Sequence, residues 1–185
     1  MKNYFIRFRP FLLFLGKFLL SYVVLIVLYQ WYLNQFDAKF FEVDGMTKMV
    51  ANHSKFFLEI FNYDIKLTPR RTEAAVKMAV NDDFLVRIIE GCNAVSVMIL
   101  FAAFVVAFSG KFWKTFLFII TGIILIHFLN VIRIGLLCLG LLYYPQYGHI
   151  LHDIVFPLFI YGVVFALWVI WINKFSSYAK KTPQS

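Results

Sequence analysis

The chain is dominated by four long apolar stretches separated by shorter polar segments. The stretches cover about 11–33, 94–110, 112–131 with an extension to 144, and 154–172. An α-helix needs about 20 apolar residues to cross a hydrocarbon core, so each stretch is long enough, or nearly long enough, for a transmembrane helix. The pattern predicts an all-α integral membrane protein with about four transmembrane helices, organised as a single membrane domain over residues 1–185.

The third stretch is too long for one simple crossing. A helix over residues 112–144 extends about 50 Å at 1.5 Å per residue, whereas the hydrocarbon core is about 30 Å thick. Two full crossings here would place the C-terminal lysines on the side opposite the other basic segments. We therefore expect one crossing, followed by an extension that is tilted, kinked near Gly135 or Gly140, or packed at the outer interface.

The segment 34–91 between the first two stretches has local pattern of its own and is too long for a connector. Its first half predicts an amphipathic helix that ends before Pro69, with three phenylalanines available to the membrane surface. The residues of that helical pattern are Met46, Met49, Val50, His53, Phe57 and Ile60, and the phenylalanines are Phe56, Phe57 and Phe61. Two short strands, 75–80 and 84–89, flank a polar turn at 81–83. The segment is predicted to be a small extracytoplasmic α/β excursion between helices 1 and 2.

Composition agrees with a membrane protein and excludes a soluble domain. The 185 residues are 62% hydrophobic and 20% aromatic, with a mean hydropathy of +0.76. A soluble domain of this composition would lack a solvated surface. The net charge of +8 reflects membrane topology and contact with anionic lipid, since no clustered basic face or stacking motif for nucleic acid is visible.

Basic residues without acidic neighbours set the predicted orientation. Three segments contain them: Lys2, Arg7 and Arg9; Lys111 and Lys114; Lys174, Lys180 and Lys181. Segments of this kind remain in the cytoplasm. Segment 34–91 holds nine of the ten acidic residues and is nearly neutral, which places it outside. Both termini are thus predicted to be cytoplasmic.

Cys92 is the candidate nucleophile. It precedes the second apolar stretch, where the free amides and the dipole of a helix N-terminus favour an anion, and the thiolate is the reactive form of cysteine. The alternative is that Cys92 is a small packing residue, as most free cysteines are. Cys138 lies among leucines and is interpreted as a packing residue. A disulfide between the two is a further possibility and requires Cα atoms within about 7 Å.

Arg133 needs an explanation because a charged residue in so apolar a stretch is retained mainly where it faces a cavity or a partner. Asn130 and His127 precede it at three-residue intervals, so the three side chains form a polar stripe on one helix. Asn130 is placed to hold the guanidinium group. The alternatives are that Arg133 extends to lipid head groups or pairs with Asp153.

His152 directly precedes the fourth stretch and is a candidate general acid and base, because imidazole titrates near neutral pH. His149 competes for the same role. The two histidines and Asp153 also resemble part of a metal site, but the HExxH arrangement is missing and no other ligand cluster is evident. The prediction is therefore no metal and no cofactor.

Residues 90–171 resemble the exosortase and archaeosortase family, most closely the exosortase F subgroup. The resemblance lies in a Cys before one span, the motif Asn130-Val131-Ile132-Arg133 in the next span and a His before the last span. The resemblance implies a cysteine transpeptidase or protease of the bacterial cytoplasmic membrane with its active site facing outward. It implies that Cys92 is the nucleophile, Arg133 the electrostatic stabiliser and His152 the acid and base, with Asn130, Asn93 and His149 in support.

The substrates implied by the resemblance are exported proteins with a C-terminal tail of a short motif, a transmembrane helix and a basic cluster. This chain departs from the family in having Asn93-Ala94-Val95 after the cysteine, and in lacking a glycine soon after the histidine until Gly162. The tail motif, the choice between hydrolysis and transfer, and the oligomeric state stay open. The rival interpretation is a non-enzymatic membrane scaffold or assembly subunit.

Overall fold

A computed structural model describes residues 2–36, 40–69, 72–81, 83–108 and 110–175, with only the backbone described for residues 2–7 and 10. The helices are α1 (Lys2–Leu33), α2 (Gly45–Glu59), α3 (Val95–Ala107), α4 (Phe112–Tyr143) and a helical run that we call α5 (Pro145–Phe175). The strands are β1 (Ile65–Pro69), β2 (Ala75–Val80) and β3 (Asp83–Ile89). The protein is therefore mostly helical, as predicted, with one small sheet.

Among the described residues, three helices are long and apolar enough to cross a membrane: Phe11–Leu33 within α1, all of α4 and all of α5. Large apolar side chains on their surfaces face outward, such as Leu20, Leu117 and Phe165. Lipid tails are the solvent that accommodates such a surface, because water would penalise so much exposed apolar area. The chain is a multi-pass membrane protein.

The second predicted span is shorter than expected. Its α-helix, α3, has 13 residues and extends about 20 Å, which is less than a full hydrocarbon core of about 30 Å. It packs between α1, α4 and α5, with Phe101 fully buried. Phe104 on α3 stacks on Trp168 of α5, with ring centroids 4.1 Å apart. The number of full crossings, the cytoplasmic side of the termini and the outer side of segment 34–91 stay predictions.

Some residues used in those predictions lie outside the described part of the chain. Asp82, Ser109, Lys180 and Lys181 are not described, and the side chains of Lys2 and Arg7 are not described either. The basic segments therefore support the orientation through the sequence alone.

The third stretch forms one continuous helix rather than a crossing followed by a separate segment. α4 runs unbroken for 32 residues through Gly135 and Gly140. Its C-terminal third is buried beneath the α2 and sheet layer, where Ile134, Leu137 and Cys138 join one hydrophobic core with Leu58 and Met78. Gly135 and Gly140 do not interrupt the helix, and the position of residues 131–144 relative to the membrane interface stays a prediction.

Segment 34–91 contains the predicted α/β unit. β2 and β3 confirm the two predicted strands, and they pair antiparallel, as do β1 and β2. β1 was missed by the sequence interpretation because its residues, Ile65-Lys66-Leu67-Thr68-Pro69, end in proline and alternate only briefly. The turn after β2 uses Asn81 at φ 51°, and its backbone N–H donates to the Asp64 carbonyl at 2.9 Å, tying the turn to the start of β1.

Helix α2 is present as predicted, but its buried face differs. The Asp44 side chain caps the helix by accepting from the Thr47 backbone N–H at 2.9 Å. The buried residues are Thr47, Val50, Ala51, Ser54 and Leu58. Ile60 and Met49 are exposed, so the predicted apolar face was displaced around the helix. Phe56 and Phe61 are exposed as expected, whereas Phe57 packs against Gly135 of α4.

The last helical run begins at Pro145, nine residues before the predicted start of the fourth span at 154. Pro145 ends α4 because proline cannot continue a helix through its own nitrogen. Within α5, Leu151–Val155 forms a π-helical turn, and the α-helix Phe156–Ile170 follows. His152 thus lies inside a helical run rather than in a loop before it. Single π-helical turns of this kind occur frequently at functional sites.

Candidate active site

One cavity of about 360 Å³ collects the candidate catalytic residues. It lies where β3, the start of α5 and the C-terminal part of α4 meet. Its walls come from β3, from the turn that follows it, from α4 and from α5: Leu85, Val86, Arg87, Ile88 and Ile89; Cys92; Arg133, Ile134, Leu137 and Leu141; Gly148, His149, His152 and Asp153. The three residues predicted to form a site therefore border one space, although they come from three separate elements.

Cys92 ends a 3₁₀ turn, Glu90–Cys92, that directly follows β3. Its thiol is free and partly exposed, while the Cys138 thiol is free and buried, with its sulfur 3.5 Å from that of Met78. No disulfide joins them in this structure. The carbonyl of Cys92 accepts a hydrogen bond from Asn130 Nδ2 at 2.8 Å, which fixes the backbone that carries the thiol.

The helix N-terminus lies further from Cys92 than expected. α3 begins at Val95, whose backbone N–H donates to Asn93 Oδ1 at 2.9 Å. The Asn93 backbone N–H donates to the Glu90 carbonyl at 3.2 Å. These amides are already paired and do not point at the thiol. Ala94 has a φ of 61°, a strained value for a residue with a Cβ atom, and such strain tends to occur where a site must be held in one geometry.

Asn93 itself connects three helices. It is 1% exposed, and its Nδ2 donates to the Tyr29 hydroxyl at 3.0 Å and to Thr47 Oγ1 at 3.2 Å. Tyr29 lies on α1, Thr47 on α2, and the Asn93 oxygen holds the start of α3. Its role is therefore to fix the position of the chain next to Cys92. The sequence interpretation missed this role because the partners are 46 and 64 residues away.

Arg133 contacts Asn130, as predicted, through a hydrogen bond of 3.3 Å from Nη1 to Oδ1. The alternative pair with Asp153 is not formed, and no salt bridge to Arg133 occurs among the described residues. The Nε atom is buried without a hydrogen-bond partner. An Arg in a membrane protein that lacks a protein counter-ion leaves its charge available to an anionic group in the cavity.

Asp153 bridges the two histidines that compete for the acid and base role. His152 Nδ1 donates to Asp153 Oδ1 at 2.5 Å, and His149 Nε2 donates to Asp153 Oδ2 at 3.1 Å. An ionised carboxylate only accepts hydrogen bonds, so His152 Nδ1 and His149 Nε2 are the donors to Asp153. The His149 side chain is 84% exposed and that of His152 is 52% exposed. The i, i+4 spacing of His149 and Asp153 in a helix would have indicated this pair.

His127 does not join the cavity. Its Nε2 lies 2.8 Å from His53 Nδ1 on α2, so the polar stripe of α4 divides between two neighbours. Arg133 lines the cavity and Asn130 bonds to it, whereas His127 contacts α2. Among the described residues, no group of three or more His, Cys, Asp or Glu side chains is arranged to hold a metal ion.

The fold and the cavity define a helical multi-pass membrane protein with a cysteine, an arginine and a hydrogen-bonded His–Asp pair around one space. The family model for transmembrane exosortases (Exosortase_EpsH) matches residues 9–173, and the chain belongs to that family. Membership implies a membrane cysteine transpeptidase or protease in general. No curated protein and no solved structure matches the chain. The exosortase F subgroup stays a prediction.

Proposed function

We propose that this protein cleaves C-terminal sorting tails of exported proteins at the outer face of the bacterial cytoplasmic membrane, through a thioester on Cys92. The observation that supports the proposal is the shared cavity: Cys92, Arg133 and His152 all line it. Each tail consists of a short motif, a transmembrane helix and a basic cluster. The tail helix docks laterally against the membrane spans, which brings the adjacent peptide bond to the cavity.

In the first half-reaction, the thiol proton of Cys92 passes to His152 Nε2 and the sulfur attacks the carbonyl carbon of the scissile bond. The hydrogen bond from His152 Nδ1 to Asp153 supports this role because it orients the ring and stabilises the imidazolium. The C–N bond then breaks as His152 returns the proton to the departing nitrogen. The tail leaves with a free amine, and the exported protein remains as a thioester.

Arg133 stabilises the oxyanion of each tetrahedral intermediate. Arg133 lines the cavity without a salt bridge to a described residue, which supports this assignment, whereas the Asn93 backbone N–H already donates to the Glu90 carbonyl. The loss of one such donor typically lowers the rate about 10²- to 10³-fold.

In the second half-reaction, water or an acceptor amine attacks the thioester. His152 takes the proton of the incoming nucleophile, and the Cys92 thiol is regenerated when the C–S bond breaks. Water gives a carboxylic acid and hydrolysis, whereas an amine gives a new amide bond and transfer. The residues that line the cavity serve both outcomes equally.

The test is a secreted reporter fused to the tail of an exported protein encoded in the same genome, expressed with each enzyme variant. Cys92→Ala abolishes tail cleavage on an immunoblot, while Cys138→Ala cleaves like the wild type because its sulfur is buried against Met78. Protein abundance in the membrane is measured for both variants. Equal cleavage by the wild type and by Cys92→Ala would refute the proposal.

A second comparison assigns the acid and base. The His152 side chain is less exposed than that of His149, and its Nε2 makes no hydrogen bond to a described residue. His152→Gln is therefore expected to abolish cleavage, and His149→Gln to retain at least about a third of it. The two variants remove equivalent bonds to Asp153, which makes each the control of the other. The reverse result would move the role to His149.

A further inference from the structure

The outer edge of β3 is open. The strand order is β1-β2-β3, so β3 has β2 on one side only. Among the described residues, no backbone hydrogen bond joins β3 to any element other than β2. The other side of β3 therefore presents a row of backbone N–H and C=O groups that is ready to pair with another chain.

This edge borders the cavity along most of the strand. Five consecutive residues, Leu85 to Ile89, line the cavity, which means that the backbone as well as alternate side chains faces it. Five residues of a strand extend about 17 Å at about 3.3 Å per residue. The strand then passes through a single 3₁₀ turn to Cys92. The open edge and the proposed nucleophile are thus parts of one continuous surface.

We infer that the substrate binds by adding an extended segment to the outer edge of β3 as a fourth strand, with its scissile bond beside Cys92. The occupant is the segment of the exported protein that immediately precedes its transmembrane helix. This inference rests on the proposed function and adds how the substrate is held. Edge pairing suits a processing enzyme because main-chain hydrogen bonds supply affinity and side-chain pockets supply specificity.

The direction of pairing follows from the course of the chain. β3 runs toward Cys92, and α3 continues from there into the apolar part of the protein. The substrate's own membrane helix follows the scissile bond, so it enters the membrane beside α3. Residues before the scissile bond lie progressively further from Cys92 along β3. The added strand is therefore parallel to β3.

Disulfide cross-linking tests both the pairing and its direction. The enzyme carries Cys92→Ala and Cys138→Ala, so that the substrate is not cleaved and no native thiol remains, plus one new cysteine at Arg87 or Ile89. The probe is the reporter tail cleaved by the wild-type enzyme, with one cysteine scanned through the residues before its scissile bond. Thr68→Cys on β1, at the opposite edge of the same sheet, is the matched control. After mild oxidation, cross-linked products are separated by non-reducing electrophoresis.

The substrate position that gives the strongest cross-link is expected to move two residues away from the scissile bond when the enzyme cysteine moves from Ile89 to Arg87. The reason is that a disulfide requires Cα atoms within about 7 Å. Cross-linking at least tenfold above the Thr68 control is expected at both sites. Membrane abundance and thermal unfolding equal to those of the parent chain with Cys92→Ala and Cys138→Ala show that both variants fold.

Three results would overturn the inference. They are cross-linking no stronger than at Thr68, a shift toward the scissile bond, and efficient cross-links between two enzyme molecules through β3 without substrate, which would mean that a second copy covers the edge. In each case cleavage of the same reporter by the wild type leaves the proposed function intact. Absence of wild-type cleavage of every tail in the genome would instead overturn both.

Discussion

Asn130 is predicted to position the active site without contacting the substrate. It is 0% exposed and joins two of the proposed catalytic residues, since it donates to the Cys92 carbonyl at 2.8 Å and accepts from Arg133 Nη1 at 3.3 Å. Asn130→Ala removes both hydrogen bonds at once. The guanidinium then lacks its side-chain partner, and the turn that carries the thiol lacks its anchor.

The size of the effect follows from these two bonds. A hydrogen bond to a charged group contributes about 1.5–3 kcal/mol and a neutral one about 0.5–1.5 kcal/mol. If the charged bond holds Arg133 in its transition-state position, its loss lowers the rate roughly 10- to 150-fold, at 1.36 kcal/mol per tenfold. The neutral bond to the Cys92 carbonyl adds a smaller loss of folding stability.

The assay measures kcat and KM for reporter cleavage by purified enzyme in proteoliposomes, together with thermal unfolding of each variant. The control is Gly122→Ala, which crowds the buried Phe101 ring and lies outside the cavity walls. Asn130→Ala is expected to lower kcat with little change in KM, and Gly122→Ala to lower only the unfolding temperature. Unchanged kcat in Asn130→Ala, or an equal fall in kcat in Gly122→Ala, would refute the reasoning.

Two further predictions concern reactivity and packing. Iodoacetamide at neutral pH is expected to label Cys92 and not the buried Cys138. Arg133→Leu is expected to slow the labelling of Cys92 at least threefold, because it removes the cation that borders the same cavity. Equal labelling rates with and without Arg133 would favour the scaffold interpretation. Gly122→Ala places a Cβ atom 2.3 Å from a fully buried phenylalanine ring of α3, so it is expected to destabilise the protein by about 1–3 kcal/mol. Gly162→Ala, which meets nothing within 4 Å, should leave the unfolding temperature unchanged or higher, and equal falls in the two variants would contradict the observed packing.

The sequence alone determined the features that depend on local composition. Long apolar runs require membrane helices wherever they occur, and the strands before Cys92 followed from alternation around a polar turn. The residue types of the candidate site were also visible, because an arginine in an apolar helix and a cysteine at a span boundary are unusual in any context. The limits of the elements were less certain: α5 begins at Pro145, and α4 continues through Gly135.

Only the tertiary structure decided which of these residues meet. Arg133 pairs with Asn130 and not with Asp153, which contacts His149 and His152 of its own helical run, and this choice depends on how α4 and α5 pack. The role of Asn93 depends on hydroxyl groups that arrive from two other helices. The edge of β3 is open because β2 pairs with one side of β3 and no described element pairs with the other side. Hydrophobic periodicity indicates which face of an element is buried, but it carries no information about which distant polar group lies opposite that face. The pairing of distant polar groups is set by how the helices and the sheet pack together.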